Sequence, residues 1–505
     1  MIWYFFSYLV FFYSIVIMAS YLWLTIQSWR MQNRLAVETP DDATIKYMID
    51  RSPLAPSVSI IAPAHNEEVN IKTNVESLIN IDYPNFEVII VDDGSTDKTL
   101  EILEKEYDLE PIPFKPTYKV PCTTINTVYR TRRMDDEKAK RLVVVNKING
   151  GRKADSSNAG INVCKTDYFI CTDADCIVDP MALYRMMWPV FNSHETMIGV
   201  SGTMLISNDC DIPEIKARLE EKGGEKNWLE EAKEGARDFH GLYKIGYWVA
   251  VVFHLLFSWM NLLPKFQQLE YMRSFLIGKL GWSSMNTLPN ISGGFGLFNT
   301  EVAIKSGGYD RKSMAEDVDM LLRMVTYMKN NSLDFRLAQV PKACCWTQGP
   351  VSLEGIFRQR KRWARGLFEI VTSHFEMFFN RHYGSIGSIT LPYIFIFEFL
   401  AAMIEFGGLL WLFLWLIPTD GVNWHTFWVI MGMVWAFSLM MTFVLMYFDH
   451  RTEVAPWKRR WWRYMKFFIC SAVEPFYHVL ITCISVYGYI EFLSGTGNIW
   501  KSIDR

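Results

Sequence analysis

The sequence predicts an α/β domain with a mostly parallel sheet, joined to about four transmembrane α-helices and to helices at the membrane interface. Between residues 57 and 349, short β-rich runs alternate with runs of helical spacing, and this alternation is typical of a parallel sheet covered by helices on both faces. Four other stretches are long and apolar enough to cross a bilayer of roughly 30 Å. Charged residues still make up 21% of the chain, which indicates a soluble part beside the membrane part.

The composition excludes two broad classes of protein. The chain carries 51 lysines and arginines against 54 aspartates and glutamates, a net charge of −3, so it lacks the cationic excess of a nucleic-acid-binding protein. An aromatic fraction of 15% excludes a disordered chain. The nine cysteines form no CxxC pair and no zinc-ligand pattern, which indicates structural thiols in a reducing compartment.

The N-terminal stretch from Ile2 to about Ile26 is almost entirely apolar and predicts a transmembrane anchor. A secretory signal is the alternative, but it requires a basic start, a shorter apolar core and a small-residue cleavage site. Here the stretch leads directly to Arg30 and Arg34. Those arginines place the next domain in the cytoplasm, because cytoplasmic flanks of membrane spans are enriched in cations.

Three more spans are predicted near the C-terminus, and a basic loop separates the last two. The spans run from about Thr390 to Ile417, His425 to Phe448 and Phe467 to Leu493. The loop, residues 451–466, carries six lysines and arginines and falls in the cytoplasm in the same orientation, which places the C-terminus outside. Glu398, Glu405 and Glu474 lie inside these spans, and we expect them to face other helices or a hydrated groove, or else to lie near the interface.

These features divide the chain into four regions. We predict an N-terminal transmembrane helix (1–28), a cytoplasmic domain (50–350), a segment of interfacial helices (351–386) and C-terminal transmembrane helices (388–493). The chain is thus expected to be a multi-pass protein integral to the cell membrane, inner or plasma.

Two segments inside the central region need separate treatment. The run from Ile245 to Leu263 is apolar, but a single crossing there would separate motifs that must share one compartment, so we interpret it as an interfacial or domain-buried helix. The run from Ile212 to Phe239 is rich in Glu and Lys and indicates a solvated helical face.

Five β-rich runs form the predicted sheet, with helices between them. The runs are Ser57 to Ala62, Phe86 to Val91, Leu142 to Val145, Tyr168 to Thr172 and Met197 to Ile206. Helical spacing is seen from Glu67 to Ile79 and from Ser156 to Cys164. Ligands of such sheets bind at the carboxyl ends of the strands, so the residues that follow these runs are the candidate site.

Polar loops follow the first two runs. The first loop is Ala62-Pro63-Ala64-His65-Asn66-Glu67-Glu68, and the second begins Asp92-Asp93-Gly94-Ser95. A carboxylate at a strand end can accept hydrogen bonds from a uracil ring or a ribose, and an imidazole can stack on a base. An ordinary turn is the alternative for Asp-Gly-Ser.

A second pair of motifs suits phosphate and metal chemistry. The fourth run ends in Thr172-Asp173-Ala174-Asp175, and two carboxylates at a strand end suit a divalent cation that also holds a diphosphate. A solvated turn is the alternative. Upstream, Gly150-Gly151-Arg152-Lys153 supplies two cations, but the P-loop spacing is missing, which disfavours a nucleoside triphosphatase.

Three motifs follow in the second half of the central region. Ser292 to Gly296 holds three glycines, which permit close approach of a sugar or simply form a tight bend. Glu316-Asp317 opens a helical run, where it can supply a general base or only complement the helix dipole. Gln359 to Gly366 combines several cations with an indole, and the alternative there is a patch for lipid headgroups.

Taken in this order, the motifs resemble the inverting, membrane-integrated glycosyltransferases of family 2, which include cellulose, hyaluronan, chitin-oligosaccharide and poly-N-acetylglucosamine synthases. The resemblance covers about Ser57 to Gly366 and the arrangement of the flanking membrane helices. Its most specific element is Gln359-x-x-Arg362-Trp363, the QxxRW signature of the family. The resemblance implies a GT-A (Rossmann-like) fold for residues 50–350 and a QxxRW lid in residues 351–386.

The resemblance also implies a role for each matching residue. The donor UDP-sugar is held by Ala62, His65, Glu67, Asp92, Asp93, Lys153, Asp173 and Arg362. Mg²⁺ or Mn²⁺ is coordinated by Asp175 and Asp173, Asp317 is the general base, and Glu316 is its neighbour. The acceptor is bound by Gly294, Gln359, Arg360 and Trp363. Two departures affect details of this site, since His65 stands where many relatives carry Tyr and Ala315 where Thr is frequent.

The expected activity is transfer of a sugar from a UDP-sugar, with UDP-N-acetylglucosamine as the best candidate, to a growing β-linked polysaccharide that the membrane helices export. A non-processive enzyme acting on a lipid acceptor is the alternative within the class. A non-catalytic nucleotide-sugar-binding membrane protein or transporter is the alternative from another class. The expected partners are the donor, a polysaccharide or lipid acceptor and membrane lipids, without nucleic acid; the sequence identifies no accessory export subunit.

Overall fold

The computed structural model describes residues 2–114, 117–133, 135–173, 176–208, 262–416, 424–452 and 461–495. The predicted helical face at 212–239 and nearly all of the apolar run at 245–263 lie outside these residues. So does Asp175, one of the two expected metal ligands.

The α/β region is built on a ten-stranded sheet with the strand order β3-β4-β5-β2-β1-β6-β9-β8-β10-β7. Its strands are β1 (Val58–Ala64), β2 (Phe86–Asp92), β3 (Leu109–Ile112), β4 (Ile125–Thr131), β5 (Leu142–Lys147), β6 (Tyr168–Thr172), β7 (Ile177–Val178), β8 (Thr196–Ile206), β9 (Phe295–Asn299) and β10 (Phe335–Thr347). The five predicted strands are present within two residues of their expected bounds.

The sheet is mixed, with parallel pairing at its centre. Parallel ladders join β5, β2, β1 and β6 in sequence, and another joins β8 to β10. Antiparallel pairing adds β3 and β4 at one margin, β9 between β6 and β8, and β7 at the other margin. The predicted α/β architecture is therefore confirmed, but the sheet contains more antiparallel pairing than expected, because β3, β4, β7 and β9 pair antiparallel and lie outside the five predicted runs.

The centre of the sheet is buried on both faces. Neighbouring residues Ile60 and Ile61 of β1 point to opposite sides, and each belongs to a different hydrophobic cluster with no solvent exposure. A strand covered on both sides loses the polar alternation of a surface strand and becomes a continuous apolar run. This explains why the central strands are recognisable from the sequence.

Helices cover the sheet and connect it to the membrane part. The α-helices are α1 (Ile2–Glu38), α2 (Asp42–Asp50), α3 (Ile71–Ile79), α4 (Thr99–Tyr107), α5 (Lys153–Val163), α6 (Ala182–Phe191), α7 (Leu262–Met272), α8 (Leu280–Ser283), α9 (Thr300–Lys305), α10 (Glu316–Asn330), α11 (Leu353–Ser373), α12 (Leu391–Ile394), α13 (Leu400–Leu416), α14 (Trp424–Thr452) and α15 (Trp461–Leu493). Short 3₁₀ and π-helical segments occupy Ala139–Arg141, Arg273–Lys279, Phe375–Met377, Arg381–Tyr383, Ile386–Thr390 and Phe395–Phe399.

Four helical stretches in the described residues are long and apolar enough to cross a membrane, one near the N-terminus and three near the C-terminus, as predicted. They are Phe11–Glu38, Ile386–Trp411, Met431–Arg451 and Tyr464–Leu493. The first helix extends to Glu38, beyond the predicted end at residue 28, because its polar last turns continue the helix past the apolar run.

Two of the three carboxylates singled out in the sequence, Glu405 and Glu474, contact other helical segments. Glu474 pairs with Arg273 of the π-helical segment and accepts a hydrogen bond from Ser438 of α14. Glu405 of α13 lies 2.8 Å from Nε2 of His478 on α15. These partners agree with the expectation that the carboxylates face helices, whereas Glu398 is exposed on the surface of the protein.

Candidate functional site

The carboxyl ends of β2, β5 and β6 bring most of the predicted donor-site residues to one edge of the sheet. Adjacent parallel strands end side by side, and the polar residues that follow them are therefore neighbours. Asp92 ends β2, Lys147 ends β5, and Asp173 directly follows β6. His65 follows β1, and its Nδ1 lies 3.0 Å from the carbonyl oxygen of Asp93.

The carboxylates of Asp92 and Asp93 are buried and hydrogen-bonded within the protein. Asp92 accepts from the backbone N–H of Ser95 at 3.2 Å and from Nδ2 of Asn146 at 2.7 Å. Asp93 forms an ion pair with Lys147 and accepts from the backbone N–H of Gly150 at 3.0 Å. These two carboxylates therefore hold the loops after β2 and β5 in a fixed relation.

Lys147 and Asp155 form a buried charged pair that the sequence analysis missed. The Lys147 side chain is fully buried, and its Nζ lies 2.7 Å from Oδ2 of Asp155. Arg311 adds a second cation, 3.0 Å from Oδ1 of Asp155. Burial opposes ionisation of Asp155, but the hydrogen bonds from Lys147, Thr123 and Arg311 lower the pKa of its carboxyl below the ordinary value. The only sequence signal was a lysine that closes an apolar strand.

Lys153, at the start of α5, connects the end of β6 to the glycine-rich segment before β9. Its Nζ donates to Oδ1 of Asp173 at 2.6 Å and to the carbonyl oxygen of Gly293 at 2.7 Å. Burial disfavours the charged form, yet the charge of Asp173 and its hydrogen bond raise the pKa of Lys153 above the ordinary value. Lys153 is therefore a permanent cation at this point of the site.

Glu316 and Asp317 open α10 on the other side of the same glycine. The backbone N–H of Gly293 donates to Oδ2 of Asp317 at 2.9 Å. Burial and the adjacent charge of Asp317 raise the pKa of Glu316 to about 7, against the opposing charges of Lys153 and Arg362. The helix start thus carries two half-buried carboxylates, one of which titrates near neutral pH.

The QxxRW helix, α11, packs directly on the start of α10. A Cβ built on Gly366 would lie 3.0 Å from the Cβ of Ala315, so only glycine allows this approach without movement. One turn further, Oε2 of Glu369 accepts from the backbone N–H of Met314 at 2.9 Å. This packing places Arg362 close enough to Glu316 for its charge to influence the carboxyl.

The remaining acceptor-side residues lie on α11 and beside β9. Gln359 is buried, and Trp363 is 41% exposed. Arg360 pairs with Glu270 of α7, and its Cζ lies 4.5 Å from the centroid of the Trp363 ring. A Cβ built on Gly294 would lie 2.6 Å from Cε of Met204 and 3.5 Å from Oδ2 of Asp173, which places this glycine next to the expected metal ligand.

Two of the residues predicted to bind the donor, Ala62 and Glu67, lie outside the contacts around Lys153 and Asp173. Ala62 is buried inside β1, two residues before the strand ends. Glu67 lies in the turn before α3, where its backbone N–H donates to Oγ1 of Thr99 at 2.8 Å. The structure therefore joins Lys153, Asp173 and Asp317 by hydrogen bonds through Gly293. The charges of Lys153 and Arg362 act on Glu316, and a second set of hydrogen bonds connects the loops of His65 and Asp93.

Asp173 has the chemistry expected of a divalent-cation ligand. Its carboxylate is partly exposed, with 31% of the side chain accessible, at the carboxyl end of β6. Mg²⁺ and related ions favour one or two carboxylates together with substrate oxygens. The described residues contain no cluster of three or more His, Cys, Asp or Glu that could hold a metal by itself.

Comparison with protein-family models gives matches along most of the chain. Residues 59–118 and 126–216 match the model described as glycosyl transferase family 2. Residues 258–490, which include the QxxRW helix and the three C-terminal spans, match the model described as glycosyl transferase family group 2.

Curated proteins with similar sequences include two bacterial relatives. The poly-beta-1,6-N-acetyl-D-glucosamine synthase of Staphylococcus epidermidis is 23% identical over 318 residues, which cover 63% of this chain and 56% of that protein. The probable glycosyltransferase YdaM of Bacillus subtilis (strain 168) is 24% identical over 328 residues, or 64% of this chain and 58% of that protein. The chain thus matches somewhat more than half the length of these relatives.

Among solved structures, the chain is similar to the mannosyltransferase PcManGT from Pyrobaculum calidifontis in complex with GDP-Man and Mn²⁺. The alignment covers 95% of this chain and 100% of that chain, with 13% sequence identity and a TM-score of 0.46. The two family matches, the α/β sheet with its strand-end carboxylates and the four long apolar helices agree with one another. The chain therefore belongs to glycosyltransferase family 2.

Proposed function

We propose that this protein is an inverting glycosyltransferase that transfers a sugar from a UDP-sugar, with UDP-N-acetylglucosamine as the best candidate, to a growing β-linked polysaccharide. One observation carries the proposal: Lys153 contacts both Asp173 and Gly293, and Gly293 in turn contacts Asp317. A cation, a strand-end carboxylate and a carboxylate at a helix start thus meet around one glycine. The similarity to a poly-N-acetylglucosamine synthase supports the choice of donor.

The nucleoside half of the donor binds where the loops after β1 and β2 meet. The ring of His65 lies beside the carbonyl oxygen of Asp93. Asp92 is bound by Asn146. Asp93 is bound by Lys147 and by the backbone of Gly150, and these contacts fix the loops. Ala62 and Glu67 contribute to the wall and the turn of this pocket. Polar strand-end loops of this kind recognise the base and ribose of nucleotides in open α/β sheets.

The diphosphate binds between Lys153 and Arg362. Both side chains are cations on different elements, and the charge of each lowers the pKa of the Glu316 carboxyl. The space between them is therefore suited to an anionic group. Asp173 and Asp175 would hold Mg²⁺ or Mn²⁺, which, when bound, neutralises charge on the departing diphosphate. Lys153 and Arg362 add fixed positive charge to the same leaving group.

Asp317 acts as the general base. Its Oδ2 is oriented by the N–H of Gly293, and burial together with the charge of Asp317 raises the pKa of the neighbouring Glu316 to about 7. The acceptor hydroxyl passes its proton to Asp317 while its oxygen bonds to the anomeric carbon and the bond from that carbon to UDP breaks. A single displacement of this kind converts an α-linked donor into a β-linked product.

The acceptor binds beside Gly294 and below the QxxRW helix, where Gln359, Arg360 and Trp363 lie. The close packing of Gly366 on Ala315 brings this helix to the base. The exposed indole of Trp363 offers an aromatic face to a sugar ring. Export follows through the four apolar helices, whose carboxylates Glu405 and Glu474 give the bundle a polar interior.

Product analysis tests this proposal. Purified full-length protein is incubated with individual UDP-sugars and either Mg²⁺ or Mn²⁺, and released UDP and product size are measured. Long β-linked chains formed from UDP-N-acetylglucosamine are expected. A single glycolipid product would support the non-processive alternative, and absence of UDP release from every UDP-sugar would contradict the proposal. Asp175→Ala should abolish the release, because it removes a proposed metal ligand.

A further inference from the structure

Glu270 and Arg360 form a largely buried ion pair directly beside the indole of Trp363. Nη2 of Arg360 donates to Oε2 of Glu270, and the two side chains are only 10% and 29% exposed. The Cζ of the same guanidinium lies 4.5 Å from the centroid of the Trp363 ring, within the distance of a cation–π interaction. One face of the indole is therefore covered by a cation whose direction is set by Glu270.

Glu270 is itself held firmly against the sheet domain. It lies on α7, and two buried glutamines of this helix donate hydrogen bonds to the backbone segments that follow β8 and β10. Nε2 of Gln268 donates to the carbonyl oxygen of Asn208 at 2.7 Å, and Nε2 of Gln267 donates to that of Pro350 at 2.8 Å. Because α7 is attached at these points, Glu270 is a fixed reference for the guanidinium rather than a mobile surface carboxylate.

Trp363 is exposed although it belongs to a helix packed on the site. The side chain is 41% accessible, while Ala364, Arg365 and Gly366, which follow it on α11, are buried. An indole with a guanidinium on one face leaves the other face for a ligand. The apolar face of a sugar ring packs well on such an aromatic surface.

We infer that Glu270 is a positioning residue for acceptor binding: through Arg360 it orients Trp363 so that the open face of the indole receives the acceptor sugar. The inference rests on the proposed function for the nature of the acceptor. It adds a residue of α7, outside the QxxRW helix, to the determinants of acceptor affinity.

The test uses purified full-length protein in detergent and a β-linked N-acetylglucosamine pentamer as the acceptor probe. Glu270→Gln removes the charge that directs Arg360, and Arg360→Lys keeps the ion pair but removes the planar guanidinium. Glu354→Gln is the matched control, because Glu354 pairs with Arg358 on the same helix. Binding of the pentamer, its KM in transfer, the KM for the donor and UDP release without the pentamer are measured for each variant.

We expect both test variants to weaken pentamer binding and raise its KM by about tenfold, which corresponds to about 1.4 kcal/mol. For Glu270→Gln, the donor KM and the pentamer-independent release of UDP should not change, and Glu354→Gln should match the wild type throughout. If Glu270→Gln does not fold, Arg360→Lys alone decides.

Three results would overturn the inference: unchanged pentamer affinity in the test variants, an equal loss in Glu354→Gln, or an equal rise in the donor KM. A wild-type protein that does not bind the pentamer also overturns it. Failure of the proposed function has a different signature, namely no UDP release by the wild type from any UDP-sugar, and pentamer binding still tests Glu270 in that case.

Discussion

The Nζ of Lys153 lies 2.6 Å from Oδ1 of Asp173 and joins the start of α5 to the end of β6. The same nitrogen donates to the carbonyl oxygen of Gly293, whose own N–H donates to Asp317. Residues that are far apart in the sequence are therefore fixed relative to one another by one lysine and one glycine. This relation makes Lys153 the first residue to test, because its loss should affect both the phosphate side and the base side of the proposed site.

Lys153→Met should reduce the initial rate of UDP release by roughly 10- to 100-fold, since hydrogen bonds from charged donors contribute about 1.5 to 3 kcal/mol each. The rate is measured with purified protein and UDP-N-acetylglucosamine. Lys305→Met is the control, because Lys305 lies at the surface in an exposed pair with Glu301. Equal rates for Lys153→Met and Lys305→Met would exclude Lys153 from the donor site.

Asp317→Asn should abolish transfer while it leaves UDP binding intact. The substitution removes the proton acceptor but keeps an oxygen that can accept from the N–H of Gly293, and loss of a general base typically lowers the rate by about 10²- to 10⁴-fold. Transfer is followed by product formation and UDP binding by calorimetry. Asp310→Asn is the control, since this exposed aspartate lies in the loop before α10. Near-normal turnover of Asp317→Asn would remove it from the base role.

The pH dependence of transfer distinguishes the two carboxylates at the start of α10. The pKa of Glu316 is raised from 4.5 to about 7 by burial and by the charge of Asp317, so Glu316 becomes protonated as the pH falls through this value. If Glu316 is not the base, the loss of transfer in acid should not follow this protonation.

Initial rates measured across this pH range, for the wild type and for Glu316→Gln, provide the check. We expect the acid limb of the rate profile to lie at the same pH in the two proteins. A wild-type limb near pH 7 that disappears in Glu316→Gln would transfer the role of base to Glu316.

The strands that could be predicted from the sequence are those whose burial leaves a local pattern. The run Val58–Ala64 is apolar on both faces and was recognised within two residues. The strand Phe335–Thr347 was missed, although it pairs with β8, because Pro341 and Lys342 interrupt the apolar run. The register with β8 shifts between Gln339 and Ala343, around this proline, as expected where proline cannot donate to a ladder.

The candidate site could be predicted where its residues follow strands or open a helix. Asp173 and Asp317 could be chosen as candidates because strand ends and helix starts have known chemistry. Lys147, Asp155 and Glu270 were missed because their roles come from contacts across the fold: Glu270, for example, is 90 residues from its partner Arg360. No local periodicity encodes a contact of that range.

The last prediction concerns the contact between the QxxRW helix, α11, and α10, the helix that carries Asp317. Asp319 of α10 accepts from Nε2 of His374 at 2.9 Å, just beyond the end of α11, and from Arg323 at 2.6 Å. Because Asp319 is buried, Asp319→Asn should lower the free energy of unfolding by roughly 3 kcal/mol, the magnitude seen when one partner of a buried ion pair is removed. Unfolding of the full-length protein is followed by tryptophan fluorescence.

The loss of stability in Asp319→Asn should become smaller as the pH is lowered. Burial disfavours ionisation of Asp319, but His374 and Arg323 lower the pKa of its carboxyl below the ordinary value of 3.8. The stabilisation is therefore present above pH 3.8 and lost as the pH falls through the lowered pKa, so the difference between wild type and Asp319→Asn should shrink only in strong acid. Glu301→Gln, in an exposed pair, should change stability by less than about 0.5 kcal/mol. A constant difference down to the most acidic pH at which the protein folds would show that the charge of Asp319 does not hold the two helices together.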